Sequence, residues 1–329
     1  MTATVITEEP PVEVHRVESV TAADGTPLAL HQWIPENPKA AVFYVHGLQS
    51  HAGWLFETGP ELARRQIAVY APDRRGSGAS GGPRGHLPSA AAVLDDYTAH
   101  FEAVRARHPD HLPVTAVGQS FGGSVLAALL ATGRISPDGV VLCAPALGQQ
   151  QARHGQEGVR RLRTLQGHRS SPVTLKDEDY TRQQRYLAFM ANDHAMLRQI
   201  TDGFRAVMAE LELLYTEGPR WEIGNPAAPV HFARPERDAI IDLETARSTL
   251  ARMYPDTVDA HFDADSHYLE FSPVRGQFWD WLAEVTARTP KASASPTDAA
   301  SPTDAAASTG AAAPADHRTQ AAAVPGGPR

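Results

Sequence analysis

The sequence predicts an α/β fold: a mainly parallel central sheet with helices on both faces and a helical cap inserted between two strands. Three observations predict it. Short apolar runs of strand length alternate with helical stretches along most of the chain, the pattern of parallel strands buried on both faces. The 329 residues, 42% of them hydrophobic, suffice for one large core. The rhythm breaks once, over 147–226, where a long segment of different character intervenes.

In chain order, VEVHRVESVTAADG and PLALHQWIP read as two strands around an Asp-Gly turn. AVFYVHG and IAVYAPD are short apolar strands. A helix is expected from about Ser89 to Arg107, followed by the strand PVTAVG. FGGSVLAALLATG reads as a helix closed by Gly133. GVVLCAP and PVHFARP are further strands. LETARSTLARM reads as helix, DTVDAHFDA as extended chain, and GQFWDWLAEVTAR as the last helix. The interrupting segment starts Gln- and Arg-rich. It then places Tyr186, Phe189, Met190, Phe204 and Leu211, among others, on one helical stripe. That stripe reads as cap packing, with Phe189, Met190 and Phe204 as candidates to face a ligand. The organisation is therefore core over 12–146 and 227–288, cap over 147–226, and tail over 289–329. The tail repeats SPTDAA at 295 and 301 and lacks large apolar residues, a composition that reads as disordered.

The formal charge of −8 speaks against a nucleic-acid partner, which calls for a basic face. Cys143 is the sole cysteine, so no intrachain disulfide forms; within GVVLCAP it reads as a small core residue. MTATVITEEPPVEVH has neither the basic start nor the apolar stretch of a signal peptide. No run approaches the roughly 18 apolar residues of a membrane span. The expectation is a soluble, cytoplasmic protein without membrane insertion. Oligomeric state leaves no signature.

The pattern G-x-S-x-G occurs twice, as GQSFG at 118–122 and GASGG at 78–82. The chemistry behind it needs a strand, a strained turn and then a helix, so that the serine is exposed and a helix N-terminus faces the developing oxyanion. Ser120 has that context. Gly118 and Gly122 remove side chains where strand and helix crowd each other. Ser80 is followed by Gly-Pro-Arg-Gly, a poor helix start, and reads as a loop residue. Gly76, Gly78 and Gly81 in the same loop spell G-x-G-x-x-G, but a pyrophosphate site needs the helix to open at once, and here it waits until about Ser89.

A serine nucleophile needs a base, an acid that orients it, and an oxyanion hole. The acid belongs after a late strand, where Asp238 lies, with Glu236 and Asp242 as rivals. Asp242 suits better the N-cap of the helix starting at Leu243. The base belongs after the last strand. His267 is preferred to His261, which falls within the strand pattern. The alternation of His261, Asp263, Asp265 and His267 has no supporting third cluster, so no metal is expected. Oxyanion donors are expected at the backbone amides of Leu48, after the turn at Gly47, and of Phe121. His46 and His51 flank that loop and read as residues that fix it.

Taken together, the strand ending in His-Gly, APDRRGSGAS with the downstream GPRGHLPS, VGQSFGG, PVHFARPERD and DSHYLEF resemble an α/β-hydrolase. The branch they resemble is the monoacylglycerol lipase and lysophospholipase-like one, also called serine aminopeptidase or hydrolase-4, over about residues 12–287. The resemblance implies a Ser120–His267–Asp238 triad, oxyanion amides at Leu48 and Phe121, no cofactor, and a small-molecule acyl ester as substrate. Acyl transfer or lactone formation through the same acyl-enzyme, and a non-catalytic ligand-binding homologue, are the alternatives. Two departures stand out. The family elbow usually reads GHSMGG or GHSLGG, whereas Gln119 and Phe121 stand here and can shape the acyl pocket. The cap is polar from Arg153 to Arg185. Its Arg160, Arg161 and Arg163 read either as a solvated helix face or as a contact for an anionic substrate group, and both disfavour a membrane-docked lipase.

Overall fold

A computed structural model describes residues 15–108, 112–218 and 229–290. In chain order it contains β1 (Arg16–Thr21), β2 (Pro27–Trp33), β3 (Ala40–Val45), α1 (Thr58–Arg64), β4 (Ile67–Pro72), α2 (Ala90–Arg107), β5 (Val114–Gln119), α3 (Phe121–Ala131) and β6 (Gly139–Cys143). The inserted segment follows as α4 (Gln149–Leu162), β7 (Ser170–Pro172), α5 (Asp177–Tyr180), α6 (Gln184–Asn192), β8 (Gln199–Thr201) and α7 (Asp202–Thr216). The core closes with β9 (Val230–Pro235), α8 (Leu243–Met253), β10 (Val258–Phe262) and α9 (Arg275–Arg288).

Eight strands form one sheet in the order β1-β2-β4-β3-β5-β6-β9-β10. β1 and β2 pair antiparallel, and β2 runs antiparallel to β4; from β4 to β10 all neighbours are parallel. The near-continuous apolar runs in β3, β4, β5 and β6 are fully buried, as a sheet covered on both faces requires. The chain leaves β3 towards β4 on one side and reaches β5 on the other. This reversal opens a crevice beyond the C-terminal ends of β3 and β5, where ligands bind in open parallel sheets.

The interrupting segment is not one helical stripe. Tyr186, Phe189 and Met190 lie on α6, whereas Phe204, Val207 and Leu211 lie on α7. Asp193 ends the first run by accepting the Ala195 amide, and Thr201 starts the second by accepting the Phe204 amide at 3.1 Å. Between them β8 pairs antiparallel with β7, a two-stranded piece that short polar sequences such as Ser-Ser-Pro do not announce. Gly155 kinks α4 with a positive φ of 66°.

Thr289, which composition places in the tail, still belongs to the core: it is buried and its hydroxyl donates to the Val285 carbonyl at 2.9 Å. The SPTDAA repeats lie outside the described residues, as do the first residues of the expected core and the end of the expected cap, 219–226.

The loop after β4 is held by Asp73, not by its glycines alone. Its carboxylate accepts the amides of Ala52 and Ala79, both at 2.7 Å, and the His31 imidazole at 3.1 Å. Ser80 is also committed here, accepting the Ala29 amide and donating to the Asp73 carbonyl. Burial pushes the Asp73 carboxyl up, but the hydrogen bond and charge of His31 outweigh it and hold it at about 2 against an ordinary 3.8. A depressed carboxyl stabilises the folded state above its unfolded value and loses that contribution as it protonates. Asp73 is therefore expected to contribute about 2 kcal/mol above pH ~4, lost as pH falls through about 2. Urea midpoints across that range check this: in Asp73→Asn the acid-side slope should flatten, and an unchanged slope refutes it.

Candidate active site

Ser120 sits at the turn between β5 and α3, at the mouth of the crevice. Its backbone is held at φ 53° and ψ −121°, a left-handed conformation that costs a non-glycine residue of order 1–3 kcal/mol. The surroundings enforce it. The Ser120 amide donates to the Cys143 carbonyl at 3.0 Å, and its carbonyl accepts the amides of Gly123 and Ala146, both at 2.9 Å. The turn works only because side chains are missing beside it. A Cβ on Gly122 would lie 2.0 Å from the Val45 carbonyl oxygen, and one on Gly118 would lie 2.8 Å from the Gly123 Cα. α3 then runs back through the core, buried on every side, with its N-terminal end at Ser120.

His267 follows β10, and its Nδ1 lies 2.7 Å from Asp238 Oδ2. Both side chains are 0% exposed. Asp238 Oδ1 accepts the amides of Ile240 and Ile241 at 2.8 and 2.9 Å, so the carboxylate is fixed by three donors. With Nδ1–H given to Asp238, Nε2 is left as an acceptor. The rivals are occupied elsewhere. Glu236 pairs with His261 at the surface, and Asp242 caps α8 by accepting the amides of Glu244 and Thr245.

The loop after β3 passes directly over Ser120: a Cβ on Gly47 would lie 3.4 Å from Ser120 Cβ. Arg74 holds this loop. Its guanidinium, only 2% exposed, donates to the Gly47 carbonyl at 2.9 Å and the Leu48 carbonyl at 2.7 Å. It lies between two rings, 5.3 Å from the centre of Phe121 and 5.2 Å from that of Phe204. A trans peptide directs its N–H opposite to its C=O, so pinning the Gly47 carbonyl on Arg74 turns the Leu48 amide to the other side. His46 supports the arrangement from beneath. Burial, with the Arg74 charge beside it, pushes this imidazole well below its ordinary value, and the neutral ring donates to the Gly47 carbonyl while accepting the Arg74 amide. Gln49 ties the same loop to the cap, donating to the Leu197 carbonyl and accepting the Tyr180 hydroxyl, both at 2.8 Å. His51 reaches Asp193 of the cap at 3.1 Å.

Sequence reasoning missed Arg74, because an arginine in a Gly-rich loop reads as solvated. Replacing it with methionine keeps the stem between the rings but leaves the Leu48 carbonyl without a donor. Arg74→Met is expected to lower kcat about a hundredfold through misplacement of the loop and to destabilise by about 1–3 kcal/mol. Ester kinetics and thermal melts check it; an unchanged kcat in a folded variant removes Arg74 from the site.

Gln119 is fully buried beside Ser120. Its Nε2 lies 3.4 Å from His267 Nε2, while its Oε1 has no hydrogen-bond partner. In this resting geometry the Gln119 amide donates to the lone pair that a serine hydroxyl would use. The other expected pocket residues serve packing. Phe204 packs at a tilt against Phe121, Phe189 packs on Trp54, Phe56 and Phe271, and Met190 is buried in the cap. A cavity of about 240 Å³ instead opens beside Leu48, between α4, α7 and the segment around β7, and none of these four residues lines it. Of the arginine cluster, Arg160 pairs with Glu217 and Arg161 approaches Glu157, both as exposed ion pairs. Among the described residues no group of three His, Cys, Asp or Glu is arranged to hold a metal ion, and no helix is long and apolar enough to cross a membrane.

The chain is 30% identical over 130 residues to a monoacylglycerol lipase of Mycolicibacterium smegmatis, covering 39% of this chain and 46% of that protein. It is 31% identical over 126 residues to the monoglyceride lipase of Rattus norvegicus, covering 38% and 41%. The chain thus spans less than half the length of these curated relatives. Among solved structures, a soluble variant of the monoglyceride lipase from Saccharomyces cerevisiae superposes with a TM-score of 0.69 at 15% identity, over 85% of this chain and 98% of that one. The monoacylglycerol lipase of Paleococcus ferrophilus gives 0.65 at 19% identity, over 80% and 99%, and both likenesses show the α/β-hydrolase fold. The family described as Hydrolase_4, serine aminopeptidase S33, matches residues 36–263, and the chain belongs to that family.

Proposed function

We propose that the protein is a serine hydrolase that cleaves a small carboxylic ester through an acyl-enzyme. The observation that carries this reading is a buried His267–Asp238 pair, 2.7 Å apart, with His267 Nε2 3.4 Å from the amide of Gln119, the residue before a serine held in a strained conformation at a helix N-terminus. Ser120 Oγ attacks the ester carbonyl and His267 Nε2 takes its proton, while Asp238 stabilises the imidazolium and fixes its tautomer. For this step the Gln119 amide yields the Nε2 lone pair to the serine. The tetrahedral oxyanion receives hydrogen bonds from the amides of Leu48 and Phe121, with the positive end of α3 behind it. His267 then protonates the departing alcohol and activates the water that releases the acid. Relatives named as monoacylglycerol and monoglyceride lipases support an acyl ester as substrate.

A fluorophosphonate probe is expected to label wild-type protein at Ser120, and para-nitrophenyl butyrate to be hydrolysed. Folded wild type that does neither refutes the reading. The complete burial of His267 favours one branch point. An acyl-enzyme shielded from bulk water can pass its acyl group to an alcohol, and product analysis with an added acceptor alcohol measures that share.

A further inference from the structure

We propose that the cavity beside the loop after β3 is an anion-accepting subsite, and that the substrate is a short ester carrying a second, negatively charged group held by Arg153 and Arg205. This rests on the reading of Ser120 as the nucleophile.

The cavity of about 240 Å³ takes Leu48 from the loop that passes over Ser120, so one residue of that loop borders it and the next, Gly47, borders Ser120. Its wall is apolar, with Val173, Ile200 and Met208, and its polar contributors include two arginines, Arg153 from α4 and Arg205 from α7. Its volume lies below the roughly 300–1,000 Å³ of pockets for drug-sized ligands, so it suits a short group, not a long acyl chain.

The two arginines differ from their neighbours in the cap. Arg160, Arg169, Arg185 and Arg198 each pair with a carboxylate. Arg153 and Arg205 pair with none among the described residues. Each instead spends one terminal nitrogen on neutral acceptors. Arg153 donates to the Ile240 carbonyl at 3.0 Å, and Arg205 donates to the Ser171 hydroxyl at 2.8 Å and the Pro172 carbonyl at 3.5 Å. These bonds anchor the side chains and leave further N–H donors of each five-donor fork unspent. The Arg153 charge acts on one carboxylate, Glu212, without pairing with it. Burial raises this carboxyl, and its two oxygens are committed to the amides of Gln150 and Gln151 at 2.9 and 2.6 Å. Two anchored cations thus face one small apolar cavity in a chain whose formal charge is −8. A carboxylate or phosphate-type group satisfies both: it supplies the missing counter-charge and accepts in the planar geometry a guanidinium offers. This moves the anion contact from the cluster of Arg160, Arg161 and Arg163, which the sequence offered for it, about two turns or more back along α4 and across to α7.

The charged group can sit on the acyl or the alcohol side, and matched ester pairs distinguish them. One pair is mono-para-nitrophenyl glutarate and its methyl ester. The other is 4-(butyryloxy)benzoate and its methyl ester. With the full chain at low salt, one charged ester is expected to exceed its neutral partner about tenfold in kcat/KM, through KM, with the advantage shrinking as ionic strength rises. Arg153→Gln/Arg205→Gln should erase the preference while leaving the neutral esters within about twofold, since neither side chain reaches the reacting atoms. Turnover of the neutral esters with no preference for a charged one overturns the subsite alone, as does a preference that survives in the double variant. No turnover of any of the four overturns the hydrolase reading and the subsite with it.

Discussion

Replacing Ser120 with glycine is expected to abolish turnover and to make the protein more stable. The residue sits at φ 53° and ψ −121°, where glycine rests without strain and serine does not. Alanine removes the same hydroxyl but keeps a Cβ in the same unfavourable conformation. Both variants should lose about 10⁴-fold or more in ester turnover and lose fluorophosphonate labelling. Only Ser120→Gly should gain about 1–3 kcal/mol, seen as roughly 2–4 °C in Tm per kcal/mol. The comparison separates the chemistry from the geometry that presents it. Turnover that survives in both variants excludes Ser120 as nucleophile, and a glycine variant less stable than the alanine one excludes stored strain at the turn.

Asp238→Asn should cost almost as much while barely changing the fold. The two oxygens of Asp238 have different duties: Oδ1 accepts the Ile240 and Ile241 amides, and Oδ2 accepts from His267 Nδ1. An asparagine can keep its carbonyl oxygen on the two amides. Its NH2 then faces His267 and forces Nδ1 to accept, which moves the ring proton to Nε2. In that tautomer Nε2 cannot take the serine proton, and kcat is expected to fall about 10⁴-fold. Asp238→Ala would in addition leave two amides without their acceptor, at about 1–3 kcal/mol each, so its melting temperature should drop where that of the asparagine variant does not. An asparagine variant within tenfold of wild type would show that another group orients the base.

Much of this was legible in the sequence because it rests on local patterns. The apolar runs AVFYV, IAVYAP, VTAVGQ and GVVLC are long enough only for strands, and each is one. The two G-x-S-x-G matches separate because only GQSFG lies between a strand and a helix; the hydroxyl of Ser80 fastens the loop after β4. Asp242 was readable as a cap because the helical pattern begins at the next residue. What was not legible depends on long-range partners. Arg74 is a polar residue in an ordinary-looking position, and Gln119, which stands out in the elbow, gives no sign of its partner; only folding brings the Gly47 and Leu48 carbonyls to one and His267 to the other. The cap was misread as one stripe because helix and short-strand residues of similar hydrophobicity follow one another across Asp193 and β8. Arg160 and Arg161 drew attention as a cluster, whereas Arg153 and Arg205 lie far apart in the chain and meet only at the cavity.

Trp54 ends the loop after β3 at the seam between core and cap. Its indole N–H donates to Asp193 Oδ2 at 2.7 Å, and the rings of Tyr180, Phe189, Tyr268 and Phe271 lie within 6.0 Å of its centre. Two of those rings and the carboxylate belong to the cap, the rest to the core. The chain therefore carries its own optical gauge: any event that lifts α6 from the core takes Phe189 and Asp193 away from a buried indole, wets it, and shifts its emission to the red. With the other four of its five tryptophans replaced by phenylalanine, lifting of α6 can be followed by the colour of this one indole.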